Sequence, residues 1–179
     1  MRYLEVRRHS WREPPNQHLS QKGVNLARSL GEQLGSFDQI VTSPLPRCIQ
    51  TAVAMGYAVN KTIRQLAGAD GLGESFPNMG SINWKLGYSV FSEQLVALPL
   101  LTDFVEKQAA VWREVVQSVP EAGQALIITH GGGFLDGTAV HCLPLADHHA
   151  WGEYSSCCEG VRLSFSEGEF VSAEILRVK

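Results

Sequence analysis

Gln124-Ala125-Leu126-Ile127-Ile128-Thr129-His130-Gly131-Gly132-Gly133 is the stretch from which the architecture follows. Four apolar residues in a row, Ala125 to Ile128, suit a strand covered on both faces, because a strand with one wet face would alternate. The glycines after it open a helix on this reading. Short β-rich runs alternate with helical runs on either side of this segment, the pattern of an α/β sandwich. Tyr3 to Arg8 reads as a first strand and Asp38 to Thr42 as a second. Ser20 caps a helix that carries Val24, Ala27, Leu30 and Leu34 on one face and ends near Gly35. Pro44 to Met55 reads as a helix entered through two prolines and stopped by Gly56.

Between Gly68 and Gly87 the regularity fails: five glycines with Pro77 and Asn78 predict a long surface excursion. A helical hairpin follows. Its second member is the clearest helix of the chain, with Leu101, Phe104, Val105, Gln108, Val111, Trp112, Val115, Val116 and Val119 along one stripe. Val161 to Phe165 and Phe170 to Val178 close as a β-hairpin around Glu167-Gly168. The expectation is a three-layer α/β/α sandwich with a mostly parallel sheet, as one domain over residues 1–179.

With 179 residues, 44% of them hydrophobic, the chain suits a single core, and a net charge of -3 gives no reason to expect nucleic acid as a partner. The first residues are too charged for a signal peptide, and no stretch is long and apolar enough to span a bilayer. A soluble, cytoplasmic protein is the expectation, with oligomeric state left open. Cys48, Cys142, Cys157 and Cys158 lack the spacing of a zinc ribbon and read as small buried residues or free thiols.

The chemistry collects at three predicted strand ends: Arg8-His9, Ser43 to Arg47, and His130. In an open parallel sheet such carboxyl ends share one edge, where ligands bind. That edge then holds two guanidinium groups and two imidazoles. Arginine forks match phosphate oxygens and stay charged, while a neutral imidazole is a nitrogen nucleophile at neutral pH. The backbone N–H groups of Gly131 to Gly133 can add donors toward the same anion.

Arg8-His9-Ser10, then Thr42-Ser43-Pro44-Leu45-Pro46-Arg47 with Gln50-Thr51-Ala52, then Ile128-Thr129-His130-Gly131-Gly132, resemble the histidine phosphatase superfamily in its phosphoglycerate-mutase-like branch. Leu19-Ser20-Gln21-Lys22-Gly23 resembles the family's segment at the first helix. The resemblance implies a phosphatase that forms a phosphohistidine on His9, with Arg8, Arg47, His130 and Gly131 binding phosphate. No cofactor or metal is expected, because the arginines take the role of an ion. The substrate would be a small phosphorylated molecule or a phosphoprotein.

The general acid is the departure. The family places a glutamate after the second arginine-bearing helix, and here that segment runs Ile63 to Glu74 without its usual setting. Glu74, preferred for type and reach, and Asp70 are the nearest carboxylates. The alternatives are a phosphohistidine-protein phosphatase, which depends less on a positioned acid, a phosphoglycerate-type mutase, or an inert phospho-ligand-binding module.

Arg12 can meet a second charged group of the substrate or sit solvated, and His18 can line the pocket mouth. Alternation turns Arg7 away from Arg8, toward a structural role. His141, Asp147, His148 and His149 are too close together to converge on a metal. Trp84 and Tyr88 can cover a substrate, but core anchoring is the simpler role, while Trp11 and Trp151 are rim or core aromatics.

Overall fold

The computed structural model describes residues 1–67 and 87–178. The elements in chain order are β1 (Arg2–Arg8), α1 (Gln21–Gly31), β2 (Gln39–Thr42), α2 (Pro46–Ala54), β3 (Lys61–Thr62), α3 (Tyr88–Ala97), α4 (Pro99–Gln117), β4 (Gln124–Thr129), α5 (Asp136–Cys142), β5 (Gly160–Ser166) and β6 (Glu169–Leu176). Short 3₁₀ turns lie at Arg64–Ala67 and Gly132–Phe134. The strands pair in the order β3-β2-β4-β1-β5-β6. The first four of these are mutually parallel, and β5 and β6 are antiparallel additions on the β1 side.

Alternation along the strands sorts their side chains into two cores. Leu4, Val6, Val41, Ala125 and Ile127 pack with the buried stripe of α4 and with α3 and α5. Ile40, Leu126 and Ile128 face the other way, onto Ala27 of α1 and Cys48 and Ala52 of α2. This is the expected α/β/α layering, and the run Ala125 to Ile128 is buried on both faces as its composition requires.

On the α1–α2 face, β1 contributes Glu5 and Arg7, which pair with each other in the interior. Arg162 of β5 binds the second Glu5 oxygen at 2.9 Å, and Arg7 donates to the Cys158 carbonyl at 2.7 Å. Arg7 is thus turned away from Arg8 and serves the sheet. The four cysteines are free and buried.

Several boundaries differ from the sequence expectation. α1 stops at Gly31, short of Gly35, because Gln33 and Leu34 fold back onto the carbonyls of Leu30 and Gly31. α2 begins at Pro46, with Leu45 extended at φ -70° and ψ 137°. A residue before proline is pushed out of helical geometry, so only the second proline enters the helix. Gly56 ends that segment at φ +93°, a left-handed conformation that favours glycine. Gly131 to Gly133 open only a 3₁₀ turn, and the helix proper starts at Asp136. Glu167 and Gly168, both at positive φ, make the predicted hairpin turn.

Candidate active site

The sheet ladder continues past the strand ends. His9 N–H donates to the Thr129 carbonyl at 2.8 Å and Ser43 N–H to the Ile128 carbonyl at 3.0 Å. With Arg8 in register with Thr129 and Thr42 with Ile128, the three segments finish at one level. His9 and His130 consequently lie edge to face, with ring centroids 5.4 Å apart.

His9 Nδ1 lies 2.7 Å from the Ser10 carbonyl. A carbonyl only accepts, so Nδ1 carries the proton and Nε2 keeps its lone pair. The Ser10 carbonyl is itself held in place. Ser10 N–H donates to Thr51 Oγ1 at 2.9 Å, and its hydroxyl donates to the Gly23 carbonyl at 2.8 Å. Burial lowers the His9 pKa to about 4 despite the Ser10 hydrogen bond, helped by the charges of Arg47, Arg8 and Arg12. The ring is therefore neutral at neutral pH.

Arg47 stands in the first turn of α2 and donates to His130 Nδ1 at 3.2 Å and to Gln17 Oε1. A guanidinium only donates, so His130 carries its proton on Nε2, which faces Ser43 Oγ at 3.0 Å. Burial, then the charge of Arg47, lowers the His130 pKa to about 2. Arg8, the last residue of β1, donates to the Ser155 carbonyl at 3.0 Å. Its side chain crosses Gly131 so closely that a Cβ there would lie 3.1 Å from Arg8 Cδ and Nε. Among the described residues, the Nε–H groups of Arg8 and Arg47 are both buried without a hydrogen-bond partner.

These four residues share one cavity of about 620 Å³, also lined by Trp11, Arg12, Phe134 and Tyr154, a size suited to a small molecule. A hollow of about 650 Å³ between α1 and α2 is comparable in volume but has no such group of imidazoles and guanidiniums. Chemistry, not volume, selects the site. Arg12 is on the wall, donating to the Asn16 carbonyl at 3.0 Å. His18 is exposed, bonded to Gln50 Nε2 at 2.8 Å, and is not among the described lining residues. Asp70, Glu74 and Trp84 lie outside the described residues. Tyr88 is a core anchor, with its hydroxyl 2.8 Å from Ser155 Oγ.

Among the described residues, no group of three or more His, Cys, Asp or Glu is placed to hold a metal. His148 is buried between Ser92 and the Leu143 carbonyl and packs on Trp151. No described helix is long and apolar enough to cross a membrane.

Sequence reasoning did not reach Phe134, Tyr154, Ser155 or Asp136, because the fold brings Phe134 and Tyr154 to the cavity, and Ser155 and Asp136 to Arg8, from far along the chain. Asp136 also changes the role of the glycine turn. Gly132 N–H donates to Asp136 Oδ2 at 2.7 Å and so is already engaged inside the protein.

A family model described as histidine phosphatase superfamily (branch 1) matches residues 5–75. The fold is shared with a phosphoserine phosphatase from Entamoeba histolytica, solved with 3-phosphoglyceric acid. That protein is 16% identical, with a TM-score of 0.70 over 100% of this chain and 98% of the other. A mycobacterial glucosyl-3-phosphoglycerate phosphatase is 18% identical, with a TM-score of 0.68 over 100% of both chains. No curated protein matches the chain. The amino-terminal part of this chain thus matches the histidine phosphatase superfamily model, and the whole chain shares the fold of these phosphatases.

Proposed function

We propose that the chain is a metal-independent phosphomonoester phosphatase in which His9 Nε2 is the nucleophile. The observation that carries this reading is the convergence of the Arg8 and Arg47 side chains with two neutral imidazoles, His9 and His130, on one cavity. Guanidinium forks match phosphate oxygens, and a phosphoryl group in the cavity would supply their acceptors. His9 Nε2 would bond to phosphorus as the ester oxygen leaves with its electron pair and takes a proton. Water would then cleave the phosphohistidine, releasing inorganic phosphate and restoring the neutral ring. Arg8, Arg47 and His130 would hold the phosphoryl oxygens, as would the turn at Gly131. A dianion would offset the positive charge that helps depress His130, raising its proton affinity so that it can donate to phosphate.

His9→Ala should lower turnover of an aryl phosphate, assayed with chelator present, by roughly a thousandfold or more. Phosphate trapped on the wild-type protein should be acid-labile and absent from the variant. Full activity in His9→Ala, or turnover abolished by chelator, would overturn the reading.

The proton for the leaving group is assigned to Glu74, with Asp70 as the other candidate. An alkyl alkoxide needs that proton, whereas an aryl oxide leaves without much help. Replacing the true acid by its amide should therefore slow alkyl phosphates at least about tenfold more than aryl phosphates. If neither Glu74→Gln nor Asp70→Asn separates the two substrates, a phosphohistidine protein becomes the better substrate to assay. Phosphate binding without turnover of any ester would instead identify an inert binding module.

A further inference from the structure

Asp136 has no part in the chemistry above, yet its carboxylate is fully buried at the back of the pocket. Its two oxygens serve two different segments. Oδ2 accepts from Gly132 N–H at 2.7 Å, in the turn that follows His130. Oδ1 accepts from Ser155 N–H at 2.9 Å, in the loop before β5. That loop is where Arg8 is docked, through the Ser155 carbonyl at 3.0 Å. From the far side, Tyr88 of α3 reaches Ser155 Oγ at 2.8 Å. Outside, Arg177 gathers the carbonyls of Trp151, Glu153 and Tyr154 from the same loop at 3.0, 2.6 and 3.1 Å.

A buried carboxylate is retained only where its charge is well satisfied. Burial raises the Asp136 pKa, and against it work the Ser155 N–H and hydroxyl, the Gly132 N–H and the Arg8 charge. The turn follows β4 and the loop precedes β5. Between them lies the Arg8 side chain, passing over Gly131 on one side and ending on Ser155 on the other. The spacing of that gap sets where the guanidinium stands relative to His9.

The geometry points to Asp136 as a positioning residue that fastens the Gly131–Gly133 turn to the Ser155 loop and thereby sets Arg8 for phosphate. This rests on the phosphatase reading only in naming phosphate as the anion. Asp136→Asn keeps shape and one acceptor oxygen, but its amide must face one of the two N–H donors, so one fastening is lost.

Inorganic phosphate binding is the probe, measured by calorimetry on the full chain, which separates this inference from any question of turnover. Asp136→Asn should bind phosphate about tenfold more weakly than wild type. In an Arg8→Ala background, the same change should add little, since the residue acts through Arg8. A purely structural role would instead lower thermal stability and leave phosphate affinity of the folded fraction unchanged. Wild-type affinity in Asp136→Asn, or effects that simply add to those of Arg8→Ala, would overturn the inference. If Asp136→Asn does not fold, Tyr88→Phe removes the second support of Ser155 with little change in volume. It should weaken phosphate roughly threefold, and wild-type affinity there would count against the inference equally.

Discussion

At the scale of single residues, the site is governed by two imidazoles kept neutral for different uses. His9 takes a proton in the unfolded chain near 6.5 but in the folded protein only near 4, because burial excludes the charged ring. Between those values the unfolded state binds more protons, so stability falls as pH falls through this window and is fully recovered above it. The difference corresponds to a loss on the order of 3 kcal/mol by the time the lower value is passed. Urea unfolding should therefore show the wild type losing more stability than His9→Gln between pH about 6.5 and about 4. A His9 ring resonance titrating near 6.5 in the folded protein would contradict this. That His9, Arg8, Arg47 and His130 meet at one sheet edge was legible in the sequence, because each ends or closely follows a strand. Asp136 was not, since nothing local marks a carboxylate whose partners are Gly132 and Ser155.

At the scale of elements, α1 shows packing overriding propensity. Ser20 caps it by accepting from Gly23 N–H at 3.2 Å, and Ser20→Ala should cost about 1 kcal/mol. Gly23→Ala would favour the isolated helix by about 1 kcal/mol. In the protein, however, its Cβ would fall 2.1 Å from the Trp11 carbonyl oxygen, a backbone atom that cannot swing aside. Gly23→Ala is thus expected to destabilise the fold more than Ser20→Ala, and a urea midpoint above wild type would refute that. The apolar stripe of α4 was legible residue by residue, because long periodic helices advertise their buried face. The ends of α1 and α2 were less so. Gly31 carries no signal that the α2 end crosses it, with Met55 O 2.1 Å from where its Cβ would be.

At the scale of the molecule, the layers follow from composition, but the strand order does not, because nothing in β1 says that β4 and β5 flank it. The Glu5–Arg7–Arg162 cluster belongs to this scale, joining β1 to β5 beneath α1 and α2. Glu5→Gln leaves Arg7 buried without its counter-charge and should cost about 3 kcal/mol or more. Replacing Glu5 and Arg7 together by leucine should cost much less, and a cost as large as that of Glu5→Gln alone would sink this account. The placement of β1 has a further consequence for how the protein is made. Leu4 pairs with Ala125 on one side and Leu163 on the other, so β1 is synthesised long before either neighbour. Such distant pairings slow folding. A nascent chain stalled before β5 would hold Arg8 and His9 on an open edge, apolar and prone to association. The proposed phosphate site would come into being only as the C-terminal hairpin docks.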